Sequence, residues 1–147
     1  MIQWTTQFET GFAMLDQQHR LLIDHINLLE EVLQSTNFTR EEADFAVNLV
    51  DYLDAYAKIH FNGEEKCMDS YRCPAHAQNQ QEHEQFRDFI RNYNRLFELE
   101  GFKVENLRML HGVMQNWITE HILKVDTQIR PCIPASLRGI SGAVPAS

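Results

Sequence analysis

The stretch KIHFNGEEKCMDSYRCPAHAQNQQEHEQF, residues 58–86, decides both the fold and the chemistry expected of this chain. His60 and Glu64 are four residues apart, so on a helix their side chains point to the same face. The segment SYRCPAH interrupts the helical pattern, and His83 follows in the next segment. A histidine four residues before His83 would complete a second pair, but that position is Asn79. The stretch therefore predicts two helices that bring ligand-type side chains together. It leaves open whether they form a two-metal centre with a substituted ligand, a one-metal remnant or no metal site.

The pattern of apolar residues predicts four long helices. In four separate segments apolar side chains recur at three- and four-residue intervals, the spacing of one helix face. A capping box of Thr39 and Glu42 predicts the start of the second helix, and Pro74 fits the first turn of the third. Gly101 is a natural stop for the third helix, and Pro131 for the fourth. The predicted ranges are 11–35 or 15–35, 39–68, 74–101 and 104–130.

Four helices joined by short breaks predict an all-α fold, an antiparallel up-down-up-down four-helix bundle. The first dozen residues, with Trp4, Phe8 and Phe12, are expected to form an N-terminal arm packed on it. Residues 1–131 would make up the bundle domain. Residues 132–147 are rich in Pro, Gly, Ser and Ala and predict a weakly structured C-terminal tail.

The composition excludes several classes of protein. The net charge of −8, with scattered lysines and arginines, argues against a nucleic-acid partner. No apolar run approaches about 18 residues, so no membrane span is predicted, and the N-terminus lacks a signal-peptide pattern. The cysteines Cys67, Cys73 and Cys132 form no C-x-x-C pair. Free thiols in a reducing, cytoplasmic setting are therefore expected.

The second helix is expected to turn its ligand-type residues inward. His60 and Glu64 continue the apolar positions Tyr52, Tyr56 and Ile59, and that stripe is predicted to face the core. The other three helices each carry one histidine among apolar residues as well. Because neighbouring helices alternate in direction, all these histidines are predicted to meet at one end of the bundle. The four are His19, His60, His83 and His121.

A metal is the simplest partner for this cluster. Four buried imidazoles and a carboxylate without a common partner would leave several polar groups unsatisfied, each costing about 1–3 kcal/mol. Asp126 lies five residues after His121, about 140° round an ideal helix, so it reaches across or follows a local wide turn. Imidazoles with bridging carboxylates suit iron, or manganese or zinc, better than magnesium or calcium.

The segments FETGFAMLDQQHRLLIDHIN, HFNGEEKCM, EHEQF and WITEHILKVD resemble the bacterial hemerythrins, relatives of the non-haem oxygen carriers of marine worms. The resemblance extends over about residues 2–130. It implies a centre of two non-haem irons that binds O2 reversibly at an open position on one of them.

The resemblance also implies a role for each ligand. His19 and His60 would hold the O2-binding iron, Glu64 and Asp126 would bridge, and the second iron would lie opposite. The residues implied for the second iron are His83, His121 and a third histidine at position 79. Four apolar residues would wall the O2 site and exclude water. They are Phe61, Trp117, Ile118 and Ile122.

The sequence departs from this pattern at Asn79. Asparagine is a weak oxygen ligand, so the second iron is expected to be held loosely or to take a water there. His76 lies about 10 Å before His83 along the helix, too far to substitute, whereas Gln80 could lend an oxygen. Ile129 stands where many relatives carry a tyrosine. His25 and His111 are expected to be surface or structural residues.

Three functions remain open from the sequence. The leading hypothesis is an O2-binding protein for carriage, storage or sensing, and not an enzyme. The first alternative is an iron enzyme acting on peroxide or nitric oxide, because a replaced ligand opens a coordination position. The second is a metal-poor bundle for protein interaction or metal storage. Apart from O2, no partner is indicated.

Overall fold

The computed structural model describes residues 1–134, and every long element in that part of the chain is helical. Four α-helices are joined by connections at residues 34–39, 71–75 and 101–103. A short 3-10 helix precedes them at Thr6–Phe8, and a longer one follows at Asp126–Cys132. The α-helices are α1 (Ala13–Leu33), α2 (Arg40–Ser70), α3 (His76–Glu100) and α4 (Val104–Lys124).

The helices form the predicted antiparallel four-helix bundle. Each packs against the next in chain order, and α4 closes the arrangement against α1. The start of α1 meets the end of α2, where His19 Nε2 lies 3.0 Å from Glu64 Oε2. At the other end, Arg108 near the start of α4 donates to the Leu33 carbonyl at the end of α1, at 3.1 Å. The fold-class prediction is confirmed.

The helix ends follow local chemistry, with two differences from the prediction. Thr39 caps α2 by accepting the Glu42 backbone N–H at 3.1 Å, but the Glu42 side chain has no return bond to Thr39, so half of the capping box forms. Pro74 lies in the turn before α3, which begins at His76. Gly101 stops α3 with φ of +75°, in the left-handed region that favours glycine.

The N-terminal arm packs as predicted. Ile2 exchanges two hydrogen bonds with the Asn27 side chain, at 2.9 and 2.8 Å. The Trp4 ring stacks on Phe8 with centroids 5.4 Å apart, and the Arg20 guanidinium lies over Trp4. The arm therefore packs against both α1 and α4 and adds Phe8 to the core.

Three details of the sequence interpretation are wrong. The predicted fourth helix runs to Arg130, but α4 ends at Lys124 and a 3-10 helix begins at Asp126. Tyr52 and Ile59 were expected in the core, yet they are 48% and 68% exposed. The inner face of α2 contains Leu49 and Leu53, which the predicted apolar pattern includes, together with Ala46, Val50 and Ala57.

The first two residues of the predicted C-terminal tail are ordered parts of the fold. Cys132 ends the 3-10 helix and Ile133 is buried, so both belong to the packed structure. The remainder of the tail, residues 135–147, lies outside the described residues. Within residues 1–134, no helix is both long and apolar enough to cross a membrane.

The core consists of two apolar clusters separated by a polar layer. Most of the bundle is filled by the larger cluster, which ends at residues such as Leu22, Phe61 and Ile122. A smaller cluster lies at the end of the bundle, around Leu15 and Val125. Along each of α1, α2 and α4, the inward polar residues fall between members of the two clusters. The fold therefore holds a polar layer with apolar packing above and below it.

Candidate metal centre

The polar layer brings together six side chains from all four helices and the following 3-10 helix. Every one is at least 98% buried, and every one was predicted as a ligand from the sequence. They form two groups of four in which one ligand atom per residue lies within 4.8 Å of the others. The first group is His19, His60, Glu64 and Asp126. The second is Glu64, His83, His121 and Asp126.

Glu64 divides its two carboxylate oxygens between the two groups. Its Oε2 lies 3.0 Å from His19 Nε2 and 3.3 Å from His60 Nε2. Its Oε1 lies 3.1 Å from His83 Nε2 and 4.0 Å from His121 Nε2. A carboxylate placed in this way can bind a different cation through each oxygen.

Asp126 divides its oxygens in the same sense. Its Oδ2 lies 3.0 Å from His19 Nε2, and its Oδ1 lies 2.9 Å from His121 Nε2. The end of α4 at Lys124 makes this possible, because Val125, with φ of −113° and ψ of −55°, breaks the regular helix. The predicted wide turn is not observed, because the helix breaks at Val125 and continues from Asp126 as the tighter 3-10 helix. The aspartate is thereby turned inward without stretching across the bundle.

An outer layer of acceptors fixes the orientation of three imidazoles. His60 Nδ1–H donates to Gln18 Oε1 at 2.6 Å, His83 Nδ1–H to Glu65 Oε2 at 3.1 Å, and His121 Nδ1–H to Glu82 Oε1 at 3.0 Å. Carboxylates and amide oxygens only accept hydrogen bonds, so each Nδ1 must carry the proton. In the neutral imidazole, Nε2 then presents its lone pair to the centre, as metal ligation requires.

The outer acceptors follow a rule that the sequence interpretation missed. Each acceptor directly precedes or follows one of the six ligand-type residues in the chain, and each accepts a hydrogen bond from the histidine of the next helix. Gln18 on α1 accepts from the histidine of α2, Glu65 on α2 from that of α3, and Glu82 on α3 from that of α4. The sequence signal is an acceptor directly beside a ligand in the chain. Among the four histidines of the layer, His19 is the one whose Nδ1 has no hydrogen-bond partner within the described residues.

Several buried polar atoms of the layer lack a hydrogen-bond partner. His121 Nε2 and Asp126 Oδ1 lie 2.9 Å apart but are not oriented for a hydrogen bond. Both amide atoms of Asn79, a fully buried residue one turn before His83, are unpartnered. Leaving such atoms unmatched is costly, and a cation can accept a lone pair from His121 Nε2, Asp126 Oδ1 or Asn79 Oδ1, although not from the amide nitrogen of Asn79. The donor set and these unmatched atoms fit a bound transition metal.

Aromatic rings pack directly on the imidazoles. Phe61 stacks on His83 with centroids 3.9 Å apart and also contacts His60 at 5.9 Å. Trp117 stacks on His121 at 4.3 Å. Of the four expected wall residues, Phe61 thus touches both groups, whereas Trp117 lies against the second. Ile118 and Ile122 are buried in the larger cluster.

The charges of the layer are strongly coupled. Burial lowers the pKa of His19, but the Asp126 and Glu64 carboxylates outweigh it and raise that pKa to about 10. Burial likewise opposes protonation of His121, whose pKa the Asp126 charge nevertheless raises to about 9. At His60 burial prevails and lowers the pKa. Burial acts to raise the pKa of Glu64, but the imidazoles hold it well below its usual range. Without a metal, protons would take the place of the cations.

The remaining candidates lie outside the layer. Gln80 is exposed and therefore does not join Asn79 at the centre. His25 is half-buried and stacks on Tyr52. His111 is buried, and its Nε2–H donates to the Ile26 carbonyl at 3.2 Å. Both therefore have structural contacts of their own. Ile129 is buried in the smaller cluster.

Comparison with known proteins gives a consistent result. Residues 10–133 match the family described as "Hemerythrin HHE cation binding domain". A bacteriohemerythrin of Clostridium acetobutylicum is 27% identical over 128 residues, which cover 87% of this chain and 98% of that protein. A bacteriohemerythrin of Methylococcus capsulatus is 26% identical over 136 residues, covering 92% of this chain and 98% of the relative.

The raised pKa values of His19 and His121 predict that the stability of the metal-free protein falls as the pH rises. His19 and His121 have folded pKa values of about 10 and about 9, above the ordinary value of 6.5. Their stabilising contribution is therefore complete below pH 6.5 and is lost as the pH rises through 9 to 10. Metal-free protein should melt at progressively lower temperature from pH 6.5 to 10. Because metal binding displaces these protons, the melting-temperature gain from zinc should increase between pH 6.5 and 8.5.

Two variants separate this effect from general alkaline unfolding. His121→Gln should flatten the slope of melting temperature against pH, whereas His25→Gln should leave it unchanged. Differential scanning calorimetry of both, with and without zinc, measures the slopes. If the melting temperature of the metal-free protein stays constant or rises over this range, His19 and His121 are not protonated in the metal-free polar layer.

Proposed function

Since the chain belongs to the hemerythrin HHE cation-binding domain family, we propose that it holds two non-haem irons and binds O2 reversibly. The observation that carries the proposal is the division of carboxylate oxygens at Glu64 and Asp126. Each of these side chains directs one oxygen toward the His19 side and the other toward the His121 side. A single ion would leave half of these oxygens and imidazoles unmatched in a buried layer.

In the proposed centre, His19 and His60 hold one ion while His83 and His121 hold the other. Mixed imidazole and carboxylate ligands suit iron. Two ferrous ions would supply the electrons that reversible O2 binding requires.

The protein's own part is to hold the ligands ready and to keep water away. The outer acceptors Gln18, Glu65 and Glu82 keep each Nε2 free for a cation. Phe61 and Trp117 cover the imidazoles with apolar rings. Such a wall slows proton delivery from solvent to a ligand bound inside. Carriage, storage and sensing all require this protection.

Asn79 makes the two half-sites nearly equal. Each offers two imidazoles and one oxygen from each of two carboxylates. In the pattern that the sequence resembles, a third histidine at position 79 would distinguish them. Asn79 adds at most a weak amide oxygen, so the second half-site has room for a water or another small molecule. We therefore expect a functional but less tightly held second iron.

The replacement of a histidine ligand by Asn79 also favours a second candidate function. An open position beside His83 and His121 could admit peroxide or nitric oxide, and the protein would then be an enzyme. The two functions differ in what happens to the ligand. A binding protein releases O2 unchanged, whereas an enzyme consumes its substrate through many turnovers.

The experiment is an optical titration of ferrous protein with O2. Protein loaded with iron in the absence of O2 should develop a visible absorption band as O2 is added and lose it under vacuum, over several cycles. Continuous consumption of hydrogen peroxide or nitric oxide, well above the rate of free iron, would favour the enzyme instead. Absence of an oxygen-dependent band at any iron loading would leave a metal-poor bundle and refute the proposal.

The variant Asn79→His tests the role assigned to the replaced ligand. Restoring an imidazole at this buried position should slow iron loss to a chelator by at least about tenfold, or about 1.4 kcal/mol, and slow autoxidation. Gln80→His is the matched control, because it adds a histidine one residue later on the exposed face of α3. Equal iron retention in the two variants would show that position 79 does not contact the metal.

A further inference from the structure

Two cysteine thiols outside the centre lie against one backbone oxygen. Cys73 Sγ–H donates to the Gln128 carbonyl at 3.6 Å, and Cys132 Sγ–H donates to the same oxygen at 3.5 Å. Cys73 lies in the turn before α3, and Cys132 is the last residue of the 3-10 helix Asp126–Cys132. Both line one surface cleft together with Gln128. The sulfurs of two cysteines 59 positions apart in the chain thus contact the same carbonyl oxygen.

The two thiols differ in accessibility. Cys73 is buried, at 4% exposure, whereas Cys132 is only partly buried and reaches solvent. Cys67, the third cysteine, is fully buried in the smaller apolar cluster. Burial raises the pKa of Cys67 to about 12, which suppresses its reactive thiolate form. The cleft is therefore lined by one partly exposed thiol, Cys132, and one buried thiol, Cys73, while Cys67 does not line it.

We propose that Cys73 and Cys132 form a reversible disulfide when the protein encounters a peroxide. The proposal is independent of iron and O2 binding, because it uses only thiols outside the polar layer. In a reducing compartment the free thiols found here are the resting state. The disulfide would be the state reached under oxidative conditions.

The reaction balances with hydrogen peroxide as the oxidant. The Cys132 thiolate attacks one peroxide oxygen, so an S–O bond forms, the O–O bond breaks and water leaves after protonation. The Cys73 sulfur then attacks the Cys132 sulfenic sulfur, forming the S–S bond and releasing a second water. The two thiols lose two electrons in total, and the peroxide gains them. Burial and the adjacent Cys73 thiol raise the pKa of Cys132 to about 11, so the first step should accelerate with pH.

The bond would tie together two segments that position the centre. One is the turn that precedes α3, the helix carrying Asn79 and His83. The other is the 3-10 helix that begins at Asp126. A cross-link closing so long a loop should raise the melting temperature by roughly 5–10 °C. It would also restrict separation of α3 from the Asp126 segment.

The test is peroxide oxidation of the full chain in the presence of a chelator that removes loose iron. After the remaining thiols are alkylated, intact mass should show one blocked thiol and the loss of two hydrogens. Trypsin places the three cysteines on different peptides, because it cleaves after Lys66, Arg72 and Lys124. The expected product joins peptides 73–87 and 125–138 and separates on reduction. Its yield should rise between pH 7 and pH 9.

Variants identify the participating thiols. Cys73→Ser and Cys132→Ser should each abolish the cross-link and the rise in melting temperature, whereas Cys67→Ser should retain both. Serine preserves a donor to the Gln128 carbonyl, and peptide mapping of the unaltered chain does not depend on how the variants fold. The proposal is overturned by a bridge that contains Cys67, by an intermolecular dimer as the main product, by over-oxidation of Cys132 without a bridge, or by three unreacted thiols.

Discussion

Everything at the functional end of this bundle depends on two carboxylates buried among four imidazoles. Glu64 and Asp126 are almost inaccessible to water, and apolar clusters lie on both sides of them. Two negative charges in such a place need positive charge close by, from protons or from cations. The outer acceptors on three of the four histidines favour cations, because they assign the imidazole proton to Nδ1 and leave Nε2 as a lone-pair donor.

The fold supplies this layer through simple topology. Alternating helix directions bring the beginning of α1 and α3 to the end of α2 and α4, so ligands distant in sequence meet at one height. The break at Val125 then turns Asp126 inward, which a continued α-helix would not do. A regular bundle with one local irregularity is therefore enough to build the centre. The irregular segment also carries Cys132, so the proposed disulfide would form in the same 3-10 helix that begins at Asp126.

Much of this was predictable from the sequence because helix periodicity and ligand spacing are local properties. The four helices and the convergence of the four histidines with Glu64 follow from spacing and alternation, whereas spacing left the route of Asp126 open. The end of α4 was not predictable in the same way, since residues 125–130 contain no proline or glycine before Pro131 and the change in geometry follows from packing. Tyr52 and Ile59 were wrongly placed in the core for a related reason. They repeat at helical spacing, but alanines at positions 46 and 57 allow the neighbouring face to pack closer. The outer acceptors were missed because polar residues beside a ligand also occur on any solvated helix.

The most direct measurement is the number and coupling of irons per chain after reconstitution with ferrous iron in the absence of O2, followed by desalting. The divided oxygens of Glu64 and Asp126 predict two irons per chain, and after oxidation the pair should be magnetically coupled through the bridging groups in a Mössbauer spectrum. One iron or fewer per chain, or two irons that behave as isolated ions, would contradict a carboxylate-bridged centre and with it the proposed O2 binding.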